Sequence, residues 1–473
     1  MPQRRSHVAP SAAQSALATA LAELRERLDV AEDFSDEVLT EASASSAPIP
    51  ELDLREVPFV TLDPVGSKDL DQAFHLQRAG TGFMVRYAIA DVPGFVVPGG
   101  AVDAAARRRG QTLYAADGSI PLHPRILSED RASLLPDVDR PALVWTFDLD
   151  AAGAVTAFRL ERALVRSRAQ LDYVSVQGSL DRGESGPWDL LPVIGALRTA
   201  LEEQRGGASL NMPDEEVVQN EDGTYSIERR SPLAVEEWNA HLSLMTGMAA
   251  AELMIGAKVG VLRTMPRPDD RAFATFRRQT EALGRPWTDG SYGEYLRSLD
   301  RDDPLTLPVL EAAASLFRGA GYATFDGDVP DETIQAAIGA PYAHATAPLR
   351  RLVDRWVLAI CLAVSTDAEI PAWARESLDD LPALMQESGQ RASRLNADTV
   401  NRVEAALLTP LVGQRISASV IELRNGGERA QIQIADPAVT ATAPVAAGTQ
   451  PGDTVSLTVV RADIARGEVE FSL

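Results

Sequence analysis

Three aspartates stand close together in one short segment. Asp63, Asp69 and Asp71 lie within TLDPVGSKDLDQA, residues 61–73, between two predicted strands. Asp69 and Asp71 are two apart on an extended chain, so their side chains point to the same side, and Asp63 joins them if the loop folds back. Close carboxylates repel one another, and a hard cation such as Mg²⁺ or Mn²⁺ offsets that repulsion best. The pattern indicates metal-assisted phosphoryl chemistry.

Two adjacent arginines form a second cluster. Arg350 and Arg351 follow a proline in YAHATAPLRRLVD, residues 342–354, a pattern that predicts the first turn of a helix. Arginines beside the free amides of a helix start make a phosphate-binding site.

Each cluster taken alone also has a purely structural interpretation. The aspartates fit an acidic surface loop in an acidic protein, and composition by itself favours that interpretation. The arginines fit a solvated helix start, with Asp354 paired to Arg350 or Arg351 at helical spacing.

The charge of the chain restricts how it could handle a polyanion. Its 473 residues carry 45 Lys and Arg against 68 Asp and Glu, a formal net charge of −23. Such a surface repels nucleic acid, so binding requires a local basic groove. All but two of the basic residues are arginines, which suit phosphate contacts, although a coding bias explains the same composition. The candidates for a basic groove are Arg107, Arg108, Arg109, Arg350, Arg351 and Arg355.

Several classes of protein are excluded. The single cysteine, Cys361, rules out an intramolecular disulfide framework and a Cys-based zinc cluster, and the histidines form no HExxH pair. No signal peptide is visible, and the most apolar segment, residues 242–262, is interrupted by Glu252 and Lys258. We therefore expect a buried helix there, no membrane partner and a cytoplasmic protein.

Predicted secondary structure divides the chain into three parts, with an α+β fold class. Residues 1–50 hold two predicted helices, at 11–29 and after Asp36, which could form a helix-turn-helix, and then a linker. Residues 51–408 begin β-rich and become helical. Short strands at 409–473 predict a small OB-type β-barrel. The last predicted helices before that barrel lie around 305–319, 331–338, 346–366 and 379–408.

In chain order, several segments resemble the ribonuclease II family, exoribonucleases with an RNB catalytic domain. The matching segments are TLDPVGSKDLDQA at 61–73, IADV at 89–92, the run at 108–136, SRAQLDYVSV at 167–176, EEWNAHLSLM at 236–245 and YAHATAPLRRLVD at 342–354. The resemblance implies a mixed α/β RNB catalytic domain at 51–408 and an S1 domain, itself an OB barrel, at 409–473. It favours the functional interpretation of the carboxylate cluster.

The resemblance implies a processive, hydrolytic 3′→5′ exoribonuclease. Such enzymes thread single-stranded RNA through a narrow channel to a buried Mg²⁺ site and release nucleoside 5′-monophosphates. We expect single-stranded RNA as the partner of a monomer, with Mg²⁺ as the cofactor and Mn²⁺ as a possible substitute.

The aspartates take their roles from their positions in the matched motif. Asp63, Asp69 and Asp71 match three of the family's four metal-binding aspartates, and Asp69 and Asp71 are the predicted catalytic pair, with Asp71 the most critical. Gln72 stands where the family has its fourth aspartate. Its carbonyl oxygen can still bind the metal but brings no charge.

The predicted substrate contacts come from other motifs. Arg350 matches the arginine that contacts the scissile phosphate, and Arg351 is a further predicted substrate contact. Tyr114 matches the aromatic residue that clamps the 3′-terminal bases, and Tyr173 matches a second tyrosine near the catalytic site. Stacking of this kind tolerates any base sequence.

The chain departs from the family pattern elsewhere too. Ala88, Ala347 and Leu352 replace a family histidine, serine and tyrosine, and a family glutamate falls near Ala397 without a match. The first fifty residues are too few for the two cold-shock domains usual in the family. The second hypothesis is therefore a non-catalytic RNA-binding protein on an RNB scaffold. Gln72 favours it slightly, whereas the retained aspartates and arginine favour the enzyme.

Overall fold

A curled β-sheet, a layer of helices against it and a β-barrel at the C-terminal end make up the computed structural model. It describes residues 4–7, 12–28, 30, 33–115, 118–207, 214–219, 225–300, 306–314, 316–317, 319–434, 437 and 439–473.

The helices are distributed along most of the described chain. They are α1 (Ala12–Arg27), α2 (Asp36–Ala44), α3 (Val92–Phe95), α4 (Ala101–Arg109), α5 (Tyr173–Asp181), α6 (Leu191–Gln204), α7 (Ala234–Ala257), α8 (Asp270–Ala282), α9 (Tyr292–Ser298), α10 (Thr306–Ala314), α11 (Leu352–Ser365), α12 (Ala372–Glu376) and α13 (Leu381–Leu408).

The described strands form one group up to residue 172, another from residue 415 onward, and six strands between these groups. They are β1 (Arg4–His7), β2 (Leu52–Asp53), β3 (Phe59–Asp63), β4 (Gln72–Ala79), β5 (Gly82–Ala90), β6 (Leu113–Ala115), β7 (Gly118–Ile120), β8 (Asp139–Leu149), β9 (Val155–Asp172), β10 (Asp214–Gln219), β11 (Tyr225–Arg230), β12 (Val259–Thr264), β13 (Gly321–Asp326), β14 (Ile334–Gln335), β15 (Ala340–Pro341), β16 (Arg415–Arg424), β17 (Arg429–Ile434), β18 (Val439–Pro444), β19 (Thr454–Asp463) and β20 (Glu468–Ser472).

The central sheet curls back on itself through one long strand. Its order is β2-β9-β3-β4-β5-β8, and β9 also pairs with β8. The first part of β9 runs antiparallel to β8, and its last part runs parallel to β3, with Asp172 opposite Asp63. The ends of β3 and β9, and the residues that follow them, are therefore held side by side.

Two apolar helices cover this sheet and form the largest core with it. The first, α7, contributes Leu242, Met245 and Met254, and α11 contributes Trp356 and Ile360. Within the described chain, α7 is the one helix with the length and composition to cross a membrane, and 50% of its apolar window is buried inside the protein. The buried helix expected over residues 242–262 is present as far as Ala257, and residues 259–262 begin β12 instead.

The C-terminal barrel matches the sequence prediction. Its five strands are antiparallel in the order β18-β17-β16-β19-β20. Alternate residues point inward, as in β17, where Ala430, Ile432 and Ile434 are buried and the residues between them are not. The end of α13 closes this core with Val403 and Leu407. The predicted α+β fold class with an OB-type barrel is confirmed.

The N-terminal segment contains the two predicted helices, but they pack on different partners. Leu17 and Leu21 of α1 join the core of the barrel, whereas Val38 and Ala42 of α2 join a core beside β5 and α4. The strand β1 precedes them and pairs with β11. This arrangement gives no support to a helix-turn-helix.

Two local predictions are wrong. A helix was expected at residues 331–338, but β14 and β15 form a small hairpin there, with Gly339 at a φ of 71° in its turn. The helix expected to start at the arginine pair begins one residue after it, at Leu352. Arg350 and Arg351 therefore lie in the turn that precedes α11.

Candidate functional site

The loop that carries the aspartates, residues 64–71, is fixed by a neighbouring segment. The Leu70 amide donates to Ser133 Oγ (3.0 Å), and Ser133 Oγ donates in turn to the Lys68 carbonyl (2.7 Å). The Leu134 amide donates to the Leu70 carbonyl (3.0 Å). These bonds hold the loop before it enters β4, so the carboxylates have defined positions.

Asp71 is the most buried of the three predicted aspartates, with 3% of its surface exposed. Its Oδ1 accepts a hydrogen bond from the Leu349 amide (2.7 Å), and its Oδ2 lies 3.6 Å from Arg350 Nε. Burial raises the pKa of Asp71 well above its usual range, although Arg350 and the Leu349 amide oppose the shift. The two motifs, far apart in sequence, therefore meet at this carboxylate.

Asp63 sits at the end of β3 and lacks a full set of partners. Its Oδ2 is buried and accepts no hydrogen bond from any part of the chain that the structure describes. Burial raises the pKa of Asp63 to about 7, with Arg350 lowering it and Asp69 raising it. A carboxylate oxygen with no donor is a position where a bound cation or a proton would be stabilised.

Asp69 lies between these two in sequence and is half-buried. Burial raises its pKa, and Arg350 opposes the increase. The same guanidinium thus acts on Asp63, Asp69 and Asp71. The structure brings these four predicted site residues together.

The turn that carries Arg350 also places Tyr114. The Thr112 amide donates to the Arg350 carbonyl (2.9 Å), and the Leu352 amide donates to the Gly110 carbonyl (3.0 Å), so the chain entering β6 is tied to this turn. Desolvation of the Tyr114 hydroxyl raises its pKa, and Arg350, which contacts it, lowers it. The Tyr114 side chain is 60% exposed, which leaves its ring available to a ligand.

Tyr173 is the first residue of α5 and directly follows Asp172, which pairs with Asp63 between β9 and β3. Asn239 of α7 donates to the Tyr173 hydroxyl (3.2 Å) and faces the Leu62 carbonyl at 3.5 Å. Burial raises the pKa of Tyr173 to about 12, and Asp63 adds to the increase. Tyr173 therefore keeps its proton near neutral pH and offers a hydroxyl beside the aspartates.

Gln72 uses both ends of its side-chain amide. Tyr87 Oη donates to Gln72 Oε1 (2.8 Å), and Gln72 Nε2 donates to the Thr346 carbonyl (2.5 Å). The carbonyl oxygen expected to bind a metal thus already accepts a hydrogen bond. Gln72 as a metal ligand stays a prediction.

Arg351 is directed away from the aspartates. Its Nε and Nη2 both donate to the Asp354 carboxylate at 2.9 Å, and Asp354 Oδ1 also accepts from the Ala347 amide (2.7 Å). The pairing with Asp354, one of the alternatives read from the sequence, is therefore present. Substrate contact by Arg351 stays a prediction.

The predicted basic groove is largely wrong, because most of its arginines are used inside the protein. Arg355 is 1% exposed and bonds Asp103 Oδ1 at 2.6 Å, so it cannot reach an external phosphate. Arg107 pairs with Asp103, and Arg109 donates to two backbone carbonyls. Arg108 is exposed.

Sequence reasoning assigned no role to three residues of the site. Asn239 and Tyr87 bond site residues, and Ser243 Oγ lies 2.6 Å from the Thr346 hydroxyl. Asn239 and Ser243 both lie in the matched segment EEWNAHLSLM, residues 236–245, which was a usable signal for them. The Tyr87 position had none, since a strand tyrosine is ordinarily core.

The donor chemistry of the site fits a hard cation. Among the described residues, no three His, Cys, Asp or Glu side chains already lie where they could share one metal ion. The orphaned oxygen of Asp63 and the raised pKa of all three aspartates nevertheless mark a region short of positive charge. Oxygen-only donors of this kind suit Mg²⁺ or Mn²⁺.

Comparison with protein families gives two matches along the chain. The family model described as the RNB domain matches residues 51–366. The model described as the RNase II-type exonuclease C-terminal S1 domain matches residues 414–473.

The similar proteins include ribonucleases and one protein named as inactive. Ribonuclease R of Escherichia coli (strain K12) is 28% identical over 341 residues, 68% of this chain and 40% of the relative. A protein of Arabidopsis thaliana named inactive exonuclease DIS3L2 is 30% identical over 381 residues, 71% of this chain and 36% of that protein. The chain thus spans well under half the length of these relatives.

Solved structures show the same fold. The apo form of Mycoplasma genitalium RNase R superposes with a TM-score of 0.86 at 18% identity, covering 97% of this chain and 78% of that one. Yeast Ssd1, described as a pseudonuclease, superposes with a TM-score of 0.69 at 15% identity, covering 90% of this chain and 55% of that one.

Proposed function

Because the chain belongs to the RNB-domain family, we propose that it is a hydrolytic 3′→5′ exoribonuclease that acts processively on single-stranded RNA and releases nucleoside 5′-monophosphates. The observation that supports this proposal most is the meeting of Asp63, Asp69 and Asp71 with Arg350, a single guanidinium that acts on all three carboxylates. A fold-maintaining ion pair needs one carboxylate, whereas phosphoryl transfer needs several around a phosphate-binding cation.

The aspartates are the proposed ligands of Mg²⁺, with Mn²⁺ as a substitute. Asp63 offers a buried oxygen without a donor, and Asp71 Oδ2 makes only a long contact of 3.6 Å with Arg350 Nε. Bound at these oxygens, the cation would neutralise the carboxylates and polarise the phosphodiester.

The remaining residues bind and orient the RNA. Arg350 has 45% of its side chain exposed while its Nε faces Asp71, so its outer nitrogens can contact the scissile phosphate and stabilise charge that develops on it. The exposed ring of Tyr114 offers a stacking surface for a terminal base beside that arginine. Tyr173, which keeps its proton, can donate a hydrogen bond near Asp63. We propose further that the chain acts as a monomer in the cytoplasm.

A second candidate is an RNA-binding protein without nuclease activity. Gln72 in place of a family aspartate favours it, and the similar proteins include one named as inactive and, by fold, one described as a pseudonuclease. The retained aspartates and Arg350 favour the enzyme.

The decisive experiment uses RNA labelled at its 5′ end and, separately, at its 3′ end, with Mg²⁺ or with a chelator. The exonuclease releases labelled nucleoside monophosphate at once from the 3′-labelled RNA and leaves the 5′ label on a shrinking strand. Binding of the RNA with both labels intact at every Mg²⁺ and Mn²⁺ concentration would establish the second candidate. A mononucleotide released first from the 5′ end would contradict both.

A further inference from the structure

The Gln72 side chain lies inside a chain of hydrogen bonds rather than at an open edge of the site. Tyr87 Oη donates to its Oε1 at 2.8 Å, and its Nε2 donates to the Thr346 carbonyl at 2.5 Å. Tyr87 is 1% exposed, and Thr346 is 1% exposed. Both partners are thus fixed by the core.

The bond from Tyr87 keeps one direction. An amide oxygen only accepts hydrogen bonds, so the Tyr87 hydroxyl is the donor. A metal ion on Gln72 Oε1 would share that oxygen with the positive end of the hydroxyl group. Each end of the amide thus has a protein partner without any ion.

Gln72 and its neighbour Asp71 hold the same segment, residues 346–350, at two points. Gln72 binds the Thr346 carbonyl, and Asp71 Oδ1 accepts from the Leu349 amide at 2.7 Å. Ser243 of α7 supports the first point, with its Oγ 2.6 Å from the Thr346 hydroxyl. Arg350 follows directly, so the position of its guanidinium depends on both anchors.

We propose that Gln72 is a positioning residue that fixes residues 346–350, and with them Arg350, over Asp71, and that it is not a metal ligand. The expected effect of Gln72 on catalysis rests on the proposed function, whereas its effect on the position of residues 346–350 does not. The positioning role also explains the residue type: an acidic side chain would place a carboxylate oxygen against the Thr346 carbonyl oxygen, whereas the glutamine amide donates there.

Matched variants test this without relying on catalysis alone. Gln72→Glu keeps the shape and removes the donor to the Thr346 carbonyl, and Tyr87→Phe removes only the hydroxyl. Gln77→Glu is the control, because Gln77 lies on the same strand and bonds His75 instead. Each variant is measured by hydrogen exchange of the peptide covering 343–351, by Mn²⁺ affinity from electron paramagnetic resonance, and by single-turnover cleavage of single-stranded RNA.

A positioning role predicts faster exchange in that peptide for Gln72→Glu, by about tenfold or more, because a buried hydrogen bond is lost. We expect a smaller change for Tyr87→Phe and none for Gln77→Glu. The cleavage rate should fall by about tenfold to a hundredfold in Gln72→Glu, with Mn²⁺ affinity within about twofold of wild type.

Two results would overturn the inference. One is a Mn²⁺ affinity that rises in Tyr87→Phe, because freeing the carbonyl oxygen would then have exposed a ligand. The other is unchanged exchange at 343–351 in a folded Gln72→Glu protein. Exchange and Mn²⁺ binding need no RNA, so an inactive wild type would refute the proposed function while leaving the positioning of the segment to be judged separately.

Discussion

Asp71 and Asp103 are both buried aspartates that face an arginine from the segment around residue 350, yet their surroundings differ. Asp103 bonds Arg355 at 2.6 Å and Arg107 at 3.3 Å, and it accepts from the Gly99 amide at 2.8 Å. Burial raises the pKa of Asp103, but Arg355, the amide and Arg107 outweigh it, and the net pKa is lowered. Asp71 has one amide and one long arginine contact, and its pKa rises.

Asp103 thus has the contacts of an ion pair that stabilises the fold, whereas Asp71 lacks the donors that would balance its charge. Breaking a buried ion pair whose donors are all in place costs free energy of folding. A buried carboxylate with too few donors is instead stabilised when a cation binds to it. Residue type is the same and both side chains are almost unexposed, so the neighbours distinguish them: three donors around Asp103, against one amide, one long arginine contact and the acidic Asp69 and Asp354 around Asp71.

The largest expected effect comes from Asp71→Asn. Asparagine keeps an oxygen for the Leu349 amide and removes the charge, so cleavage of single-stranded RNA should fall by about 10³-fold or more. RNA affinity, measured by fluorescence anisotropy, should change little, since stacking and phosphate contacts remain. Asp270→Asn, on the exposed start of α8, is the control and should retain full activity. Equal activity of wild type and Asp71→Asn would contradict the catalytic role of Asp71 and, with it, the contrast with Asp103.

Asp103→Asn should lower the stability of the fold strongly, whereas Asp71→Asn should lower the cleavage rate. Removing one partner of a matched buried pair leaves Arg355 without its charge partner, at a cost of about 3–5 kcal/mol in the free energy of unfolding. Asp71→Asn should leave that free energy unchanged or slightly higher, because it removes a carboxylate whose pKa burial has raised. Urea denaturation of both variants, without added metal, tests this. Similar losses in the two would mean that both aspartates hold the fold.

The two regions should also respond oppositely to pH. His123, near Asp103, has a pKa lowered from 6.5 to about 3 by burial, so the unfolded chain binds a proton in this range and the folded chain does not. Its contribution to stability is present above pH 6.5 and is lost as the pH falls toward 3, by at most about 1.4 kcal/mol per pH unit.

Asp63 gives the reverse slope, because its pKa is raised from 3.8 to about 7. Here the folded chain holds the proton, so without metal the contribution weakens stability as the pH rises from 3.8 to 7. Comparing wild type with His123→Asn and with Asp63→Asn, by denaturation between pH 4 and 8, isolates each slope. Slopes of the same sign would be inconsistent with this assignment.

The smallest expected effect concerns Arg108, the exposed member of an arginine run that otherwise serves the interior. If it contacts the RNA backbone, Arg108→Gln should reduce the salt dependence of RNA binding by about one counterion and leave the cleavage rate of bound RNA unchanged. Affinity measured across a salt series provides the test, with Arg271→Gln, on the exposed start of α8, as the control. A wild-type affinity indifferent to salt would contradict RNA binding through phosphates altogether.

The sequence anticipated the features that depend on local patterns or on ordered motifs. Several short strands in the last 65 residues predicted the barrel, and the matched segments predicted that Asp71 and Arg350 would share a site despite their separation. The roles of Arg355 and Arg107 were missed, because arginines at helical spacing ordinarily indicate an exposed face. Tertiary packing alone places Asp103 against Arg355, whereas Asp103 and Arg107 lie four residues apart on α4, a spacing that the sequence already contained.

The failed helix at 331–338 has a similar cause. Ile334 and Gln335 suit a helix by local propensity, yet they pair with Ala340 and Pro341, and the Ala336 amide donates to the Met265 carbonyl at 3.0 Å. The hairpin partners are close in sequence, but the contact with Met265 joins distant segments, and such tertiary contacts override local preference. The hydrogen bonds of Gln72 were unpredictable for the same reason, since Tyr87 and Thr346 approach it only in the folded chain.

The helix α13 packs against both the RNB region and the C-terminal barrel, which the sequence analysis treats as separate domains. Its 28 residues span about 42 Å. Leu381 and Met385 at one end belong to the core of the RNB sheet, Leu395 joins a small core with α1 and β6, and Leu408 at the other end belongs to the barrel core. Swinging the barrel away from the RNB region would require bending this helix or pulling its residues out of a core. An RNA strand bound to the barrel would therefore lie at a fixed distance from Asp63, Asp69 and Asp71.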